Sequence, residues 1–312
     1  MLLSVAVDLF VGSTCAGKTN MTPDTYRKKI ARLVMFLGDV QIESIQPADV
    51  ERFRQSLLTQ QVKRRGVRAV VAPLSPWYVR GVLRMVKYLF GWLFAEGYLT
   101  VNPAARLKLP KLPQAQPKAI DQETFEKLLA AAASSGEAWS RARNVAFLCL
   151  LRDTGGRISG LLSARVSDVD LKQSSMQVTE KYDKTRDLFF GEVTSKALVR
   201  WLAVRESLHV RSEALFIGRF GEGLQYSGAR GILNSLAKVA GIEGQRYNAH
   251  SFRHAFARDA LRAGADLASV SQMLGHSGVA VTGDYYARFL PSELQETHKR
   301  TSPGRAIKDS LL

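Results

Sequence analysis

The sequence predicts a mainly α-helical protein with a small antiparallel β-sheet, organised in two domains. The proline-rich segment NPAARLKLPKLPQAQPKA, residues 102–119, has neither helical nor strand periodicity and is typical of a linker. The segment before it contains only helical patterns. The segment after it changes to alternating, β-rich patterns between Val166 and Phe190 and then returns to helices.

Helical patterns in the first domain, residues 20–102, predict an all-α bundle. The apolar spacing indicates helices over about residues 22–37, 46–58 and 75–96. Thr22 is a suitable N-cap for the first of them, because its hydroxyl can accept a hydrogen bond from a free backbone N–H.

Residues 1–19 are expected to form a flexible leader before the first helix. Within it, GSTCAGKT at residues 12–19 fits the phosphate-binding loop pattern G-x-x-x-x-G-K-[ST], and it follows the apolar run LLSVAVDLFV, which could be a strand. Such a loop works only when its lysine and hydroxyl residue open a helix, and the predicted helix starts later. Nucleotide binding is therefore the less favoured interpretation.

In the second domain, Asp121 is predicted to cap a helix over QETFEKLLAAAA, and a longer helix should span about residues 137–151. The segments DVDLK, SSMQVTEK and TRDLFFGEV are expected to form the antiparallel sheet. Helices should follow from Thr194 to about Phe289, including a short one over 269–274 that a glycine ends.

The net charge indicates a polyanionic partner, with nucleic acid favoured. The chain has 44 Lys and Arg against 28 Asp and Glu, a net charge of +16, which is more than solubility requires. A membrane surface would attract the same charge, but no basic amphipathic helix stands apart from the core-forming ones. A stripe on the third helix and the basic loop VKRRGVR are candidate DNA contacts, the alternative being a solvated face: Lys63, Arg64, Arg65, Arg68, Arg80, Arg84 and Lys87.

The sequence also favours a cytoplasmic protein. It contains no run of 18 apolar residues, and no basic stretch precedes the N-terminal apolar run, so neither a membrane span nor a secretory signal is supported. The two cysteines fit a reducing compartment: Cys15 lies in the predicted leader and Cys149 in the apolar run VAFLCLL. Two distant cysteines make no metal site.

The most unusual segment is AHSFRHAFARDALRAGADLASVSQMLGHSGVAVTGDYYARF, residues 249–289, which holds three of the five histidines. His250 and Arg253 are three residues apart on the first turn of a predicted helix, so both point toward an N-terminus that favours an anion. His254 is interpreted as a packed histidine. His276 should emerge in a turn after Gly275.

This segment resembles the C-terminal signature of the tyrosine recombinase (phage integrase) family. That signature has an H-x-x-R box, an L-G-H-S turn and a nucleophilic tyrosine nine residues after the turn's histidine, which is Tyr285. LLRDTGGRISGLLSARVSDVDL is similar to the family's T-G-x-R-x-S-E-L box, with its arginine at Arg157. VTEKYDKTRDLFF resembles the hairpin V-x-G-K-G-x-K-x-R, with its lysine at Lys181 or, less favoured, Lys184. The resemblance covers residues 119–290.

The resemblance implies a site-specific DNA recombinase that forms a 3′-phosphotyrosyl bond and needs no metal or ATP. Arg157 and Arg253 would clamp the non-bridging phosphate oxygens. His250 would take the proton of Tyr285, since a phenol with a pKa of about 10 must lose it during attack. Lys181 would protonate the leaving oxygen. The implied catalytic residues are Arg157, Lys181, His250, Arg253, His276 and Tyr285.

The resemblance also implies an architecture and partners. Residues 20–102 would form the family's helical core-binding (SAM-like) domain and 120–290 its catalytic domain, joined by a linker at 103–119. The tail, 291–312, would be donated to a neighbouring subunit. The implied assembly is a homotetramer on two double-stranded DNA sites, associated with the nucleoid. Accessory DNA-bending or directionality proteins are further candidate partners.

Some positions depart from the family pattern. Gly160 stands where an acidic residue is usual, and Glu180 and Tyr182 stand where the hairpin usually has glycines. Tyr286, beside Tyr285, is a candidate substitute nucleophile. Two other functions stay open: a type IB topoisomerase-like enzyme that relaxes DNA without site preference, and a non-catalytic DNA-binding protein of the same fold.

Overall fold

The computed structural model describes residues 1–16, 21–64, 70–112, 119–180, 184–242 and 248–275, together with the single residues 278, 283 and 298. The chain divides into two compact units, Met1–Ala115 and Gln116–Leu312. Each unit has an apolar core of its own. None of the helices in these ranges is long and apolar enough to cross a membrane.

The described part of the first unit consists of helices and one hairpin. The helices are α1 (Leu3–Thr14), α2 (Met21–Leu37), α3 (Pro47–Thr59) and α4 (Pro76–Ala95), and the hairpin strands are β1 (Gln61–Arg64) and β2 (Val70–Pro73). The three predicted helices are thus confirmed within two residues. Helix α4 begins where its sequence directs, because the Ser75 hydroxyl accepts a hydrogen bond from the Tyr78 N–H at 3.2 Å.

The prediction of a flexible leader is wrong, because residues 3–14 form helix α1 and lie in the core of the first unit. Phe10 is 2% exposed, stacks on Tyr26 and packs against Trp92. The sequence did not reveal this helix because the run is apolar on nearly all sides and has no capping side chain at Leu2. Cys15, at its end, is buried as well.

Helix α1 also answers the question raised by GSTCAGKT. The first three residues of that motif belong to the helix, whereas a phosphate-binding loop must follow a strand. The structural context that nucleotide binding requires is therefore missing before the motif.

The basic segment 62–68 is not a simple loop. Strands β1 and β2 pair antiparallel from Gln61↔Pro73 to Arg64↔Val70, so the first unit is not purely α-helical. Strands of four residues are too short to give a clear alternation in the sequence, which explains the wrong prediction.

The predicted linker, 103–119, begins too early. Ala104 and Leu107 are buried in the core of the first unit. Basic side chains bind backbone carbonyls of this segment: Arg54 binds Lys108 O at 3.0 Å, Arg80 binds Pro110 O at 2.8 Å and Lys87 binds Leu107 O at 3.3 Å. A proline-rich segment ordered by such tertiary contacts carries no periodicity of its own.

The second unit is mainly helical and contains one three-stranded antiparallel sheet in the order β3-β4-β5. Its helices are α5 (Gln122–Ser134), α6 (Ala138–Thr154), α7 (Ile158–Ser163), α8 (Glu192–Ser207), α9 (Tyr226–Val239), α10 (Ala249–Arg262) and α11 (Leu267–Leu274). Its strands are β3 (Val169–Asp170), β4 (Ser175–Glu180) and β5 (Lys184–Phe189). This confirms the predicted fold class.

Helix α6 is the centre of the second unit. It packs against α5, α8 and α10, and most of its residues from 142 to 154 are buried. Asp121 caps α5 as predicted, accepting a hydrogen bond from the Thr124 N–H at 2.7 Å. Because α6 is held on several sides, the turn at its C-terminal end has a fixed position from which the next residues start.

Replacing Phe10 by Ala should destabilise the first unit by about 3–5 kcal/mol, because the change leaves a cavity between α1, Tyr26 and Trp92. Urea unfolding followed by circular dichroism measures the effect. Leu9→Ala is the matched control on the same helix, since Leu9 is 43% exposed and its loss should cost less than about 1 kcal/mol. Equal effects of the two substitutions would contradict the packing of α1.

Candidate active site

Three arginines from separate elements converge on the C-terminal end of α11. Arg157 precedes α7, Arg186 lies on β5 and Arg253 on α10. They bind three consecutive backbone carbonyls: Arg186 binds Met273 O, Arg253 Nη2 binds Leu274 O at 2.5 Å, and Arg157 Nη2 binds Gly275 O at 3.0 Å. The last carbonyls of a helix lack intrahelical partners and carry its partial negative charge, so guanidinium groups suit them.

Two glycines make this convergence possible. Gly155, after α6, and Gly275, after α11, both have backbone conformations in the left-handed region, with φ of 57° and 65°. A Cβ on Gly155 would lie 2.6 Å from the ring of Phe256, and one on Gly275 would lie 2.9 Å from Nε of Arg186. The glycines of T-G-x-R and L-G-H therefore have a direct steric reason.

Arg253 is the most deeply buried of the three arginines, at 5% exposure. Besides Leu274 O, it binds Gly155 O through Nη1 at 2.9 Å. It thus ties the turn after α6 to the turn after α11. Burial of a charged group is tolerated when its donors have acceptors, which these carbonyls supply.

His250 occupies the first turn of α10, on the same side as Arg253. The side chain of Asn248 begins this helix by accepting hydrogen bonds from the His250 and Ser251 N–H groups at 2.9 and 3.2 Å. The pKa of His250 is lowered from its ordinary value by partial desolvation, then by the charges of Arg253 and Arg157. His250 therefore favours its neutral form at neutral pH, in which one ring nitrogen can accept a proton.

The electrostatics of the site favour an anion. Burial lowers the pKa of Arg157, and the nearby charge of Arg186 lowers it further. Burial also lowers the pKa of Arg186. The pKa of His254 falls to about 4, first through burial and then through the charges of His250 and Arg253. Clustered positive groups repel one another, which disfavours their charged forms. A bound anion such as a phosphate would offset this repulsion.

The structure brings together three of the predicted catalytic residues, Arg157, His250 and Arg253. The other predicted site residues of this unit lie outside the described residues: Lys181, His276, Tyr285 and the alternative Tyr286. Lys184 begins β5, opposite Glu180, and its side chain is also outside the description.

Position 160 provides no side chain that could support Arg157. Gly160 is buried in α7 and offers no side chain. The carbonyl of Gly275 instead accepts a hydrogen bond from Arg157.

Sequence reasoning missed Arg186. The signal was present, because the hairpin pattern V-x-G-K-G-x-K-x-R ends in an arginine, and its alignment on VTEKYDKTR places that arginine at position 186.

The predicted DNA contacts of the first unit are only partly described. Arg65 and Arg68 lie outside the described residues, as do the side chains of Lys63 and Arg64 on β1. In the stripe on α4, Arg80 binds Pro110 O and Lys87 binds Leu107 O. Arg84, the third member of the stripe, is exposed. DNA contact by these seven residues stays a prediction.

Comparison with known proteins identifies the family of the chain. Residues 118–292, more than half of the chain, match the phage integrase family. Tyrosine recombinase XerC of Corynebacterium glutamicum is 34% identical over 218 residues, which cover 70% of each chain. Tyrosine recombinase XerD of Listeria monocytogenes is 30% identical over 233 residues, which cover 73% of this chain and 77% of that protein.

A solved structure shares the fold. The integrase of transposon Tn1549, determined in complex with transposon right end DNA, superposes with a TM-score of 0.75 at 17% identity, covering 95% of this chain and 99% of that one. The family match, the identity to the two relatives and the grouping of Arg157, His250 and Arg253 lead to one conclusion. The chain belongs to the phage integrase family and is a site-specific tyrosine recombinase.

Proposed function

We propose that this recombinase cleaves and rejoins double-stranded DNA at a specific site through a 3′-phosphotyrosyl bond to Tyr285. The observation that carries the proposal is the grouping of Arg157, Arg253 and His250 beside the turn that leads to His276. The net charge of +16 supports a nucleic acid as the partner. The Tn1549 integrase, which shares the fold, was solved with DNA.

Arg157 and Arg253 clamp the scissile phosphate. Negative charge grows on its non-bridging oxygens during in-line attack, and planar guanidinium groups stabilise such charge well when their orientation is fixed beforehand. The carbonyls of Gly275 and Leu274 fix that orientation. The charge that a bound metal ion would supply elsewhere thus comes from side chains.

Two residues carry the proton transfers, and a third contacts the phosphate. His250, neutral because its pKa is lowered, accepts the proton of the Tyr285 hydroxyl. Lys181 donates a proton to the 5′-oxygen that leaves, with Lys184 as the alternative donor. His276 hydrogen-bonds the phosphate. The phosphotyrosyl bond conserves the energy of the broken phosphodiester, so rejoining needs no ATP.

The assembly is a homotetramer on two DNA sites, in the cytoplasm and associated with the nucleoid, with accessory proteins setting direction. Residues 291–312 are donated to a neighbouring subunit. The first unit contacts DNA through its basic hairpin and Arg84, while Arg80 and Lys87 also order the segment at 107–110. The relatives' identity as recombinases disfavours a topoisomerase-like or non-catalytic role.

Incubation of the protein with nicked DNA fragments from around its own gene, with chelator and without nucleotide, should yield a covalent protein–DNA adduct on a denaturing gel. Tyr285→Phe should abolish the adduct, because it removes the attacking oxygen. Tyr286→Phe is the matched control and should retain it. An adduct that survives Tyr285→Phe, or that forms only with metal, would contradict the proposal.

The cleavage rate should stay constant as the pH is lowered to 6.5 and should fall only at a lower pH. His250 acts as a base only when neutral, and a lowered pKa keeps it neutral down to a pH below its ordinary value of about 6.5. The second-order rate of adduct formation at limiting DNA, measured from pH 8 to 5, should fall only below that point. His250→Gln should be slow and lack this acid limb. A wild-type midpoint above pH 6.5, at unchanged DNA affinity, would count against a neutral His250.

A further inference from the structure

We propose that Arg186 is a positioning residue that fastens the β4–β5 strand pair to the end of α11, and so sets the position of the strand that precedes Lys181 in sequence relative to the turn at Gly275. This inference rests on the proposed function. Its starting point is the contact between a strand of the sheet and a helix end far away in sequence: the guanidinium of Arg186 donates a hydrogen bond to Met273 O.

The contact of Arg186 with the turn is intimate. A Cβ added to Gly275 would lie 2.9 Å from Nε, 3.1 Å from Cδ and 3.2 Å from Cζ of Arg186. The end of this side chain therefore rests against the α-carbon of Gly275, in the space that any other residue would fill. A guanidinium in van der Waals contact with one residue and hydrogen-bonded to another two positions earlier fixes both the distance and the angle of the turn.

Arg186 also shares its acceptor surface with the proposed phosphate clamp. The carbonyl that it binds is two residues before the one that binds Arg157, and the two guanidinium groups are close enough for the charge of Arg186 to lower the pKa of Arg157. Two cations so close repel each other unless acceptors hold them. The end of α11 supplies those acceptors. A displacement of Arg186 would therefore change the position and the electrostatic environment of the Arg157 guanidinium.

The hydrogen bond between Arg186 and Met273 O bears on the reaction because Arg186 lies in the hairpin that precedes and follows the proposed general acid in sequence. Arg186 pairs with Val178 in the β4–β5 ladder, and the ladder extends to Glu180 and Lys184. The proposed general acid, Lys181, follows Glu180 directly in sequence. The hydrogen bond from Arg186 thus ties the strand pair that bears the acid to the helix end that precedes His276.

The test is single-turnover cleavage by Arg186→Gln with limiting DNA at saturating protein, together with a measurement of DNA affinity. The expected result is a rate about 10- to 100-fold lower with dissociation constants within about 3-fold of wild type, because misplacing a reacting group slows chemistry more than binding. Arg165→Gln is the matched control: it removes one positive charge from the same unit at an exposed ion pair with Glu213 and should leave the rate unchanged.

A double-mutant cycle separates positioning from general destabilisation. If Arg186 and Arg157 act through the same helix end, Arg186→Gln should cost much less in an Arg157→Lys background than in wild type. Additive effects would overturn the proposal. If Arg186→Gln fails to fold, Arg186→Lys takes its place, because lysine keeps the charge but not the planar guanidinium. This variant should fold, and its cleavage rate should be lower than that of wild type by less than the loss expected for Arg186→Gln.

The outcomes distinguish this inference from the function on which it rests. An active wild type with an unimpaired Arg186→Gln variant overturns the positioning role alone. A loss that disappears at saturating protein assigns Arg186 to DNA binding and also overturns it. The absence of any Tyr285-dependent adduct from wild type contradicts the proposed function itself.

Discussion

The candidate active site depends on backbone carbonyls at the C-terminal end of α11 that have no partner within the helix and accept hydrogen bonds from three arginines. Three cationic side chains lie close together there, which would be unfavourable without acceptors, and the helix end has carbonyls without intrahelical partners. An unsatisfied buried polar group costs about 1–3 kcal/mol, so each feature removes the cost of the other. The arginines are consequently held in place in the free protein, and the proposed phosphate clamp would need little reorganisation.

This arrangement explains how distant sequence motifs become one site. Helix α6 is fixed in the centre of the second unit and ends at Gly155, whose carbonyl binds Arg253. Arg157 follows two residues later, and it donates a hydrogen bond to the carbonyl of Gly275, which ends α11 more than a hundred residues further along the chain. Each glycine allows a close approach that a side chain would block. The family motifs thus encode packing around a helix end as well as chemical groups.

The sequence predicted elements that have local signals and missed those that depend on tertiary contacts. Caps and periodicity located α4, α5 and the short helix before Gly275. Helix α1 has no cap and is apolar on most sides, so only its burial by α2 and α4 reveals it. Residues 103–112 are ordered by basic side chains from other helices. The hairpin pattern marks the arginine at position 186, but its hydrogen bond to Met273 O depends on tertiary structure and cannot be predicted from that pattern.

A crystal structure of the Tyr285→Phe variant on its cognate DNA, trapped before cleavage, tests the central claim most directly. The account predicts that the guanidinium groups of Arg157 and Arg253 contact the scissile phosphate while keeping their hydrogen bonds to Gly275 O and Leu274 O, at about the normal length for N–H···O bonds. Guanidinium groups that leave these carbonyls to reach the phosphate would contradict it, since the clamp would then form only on binding.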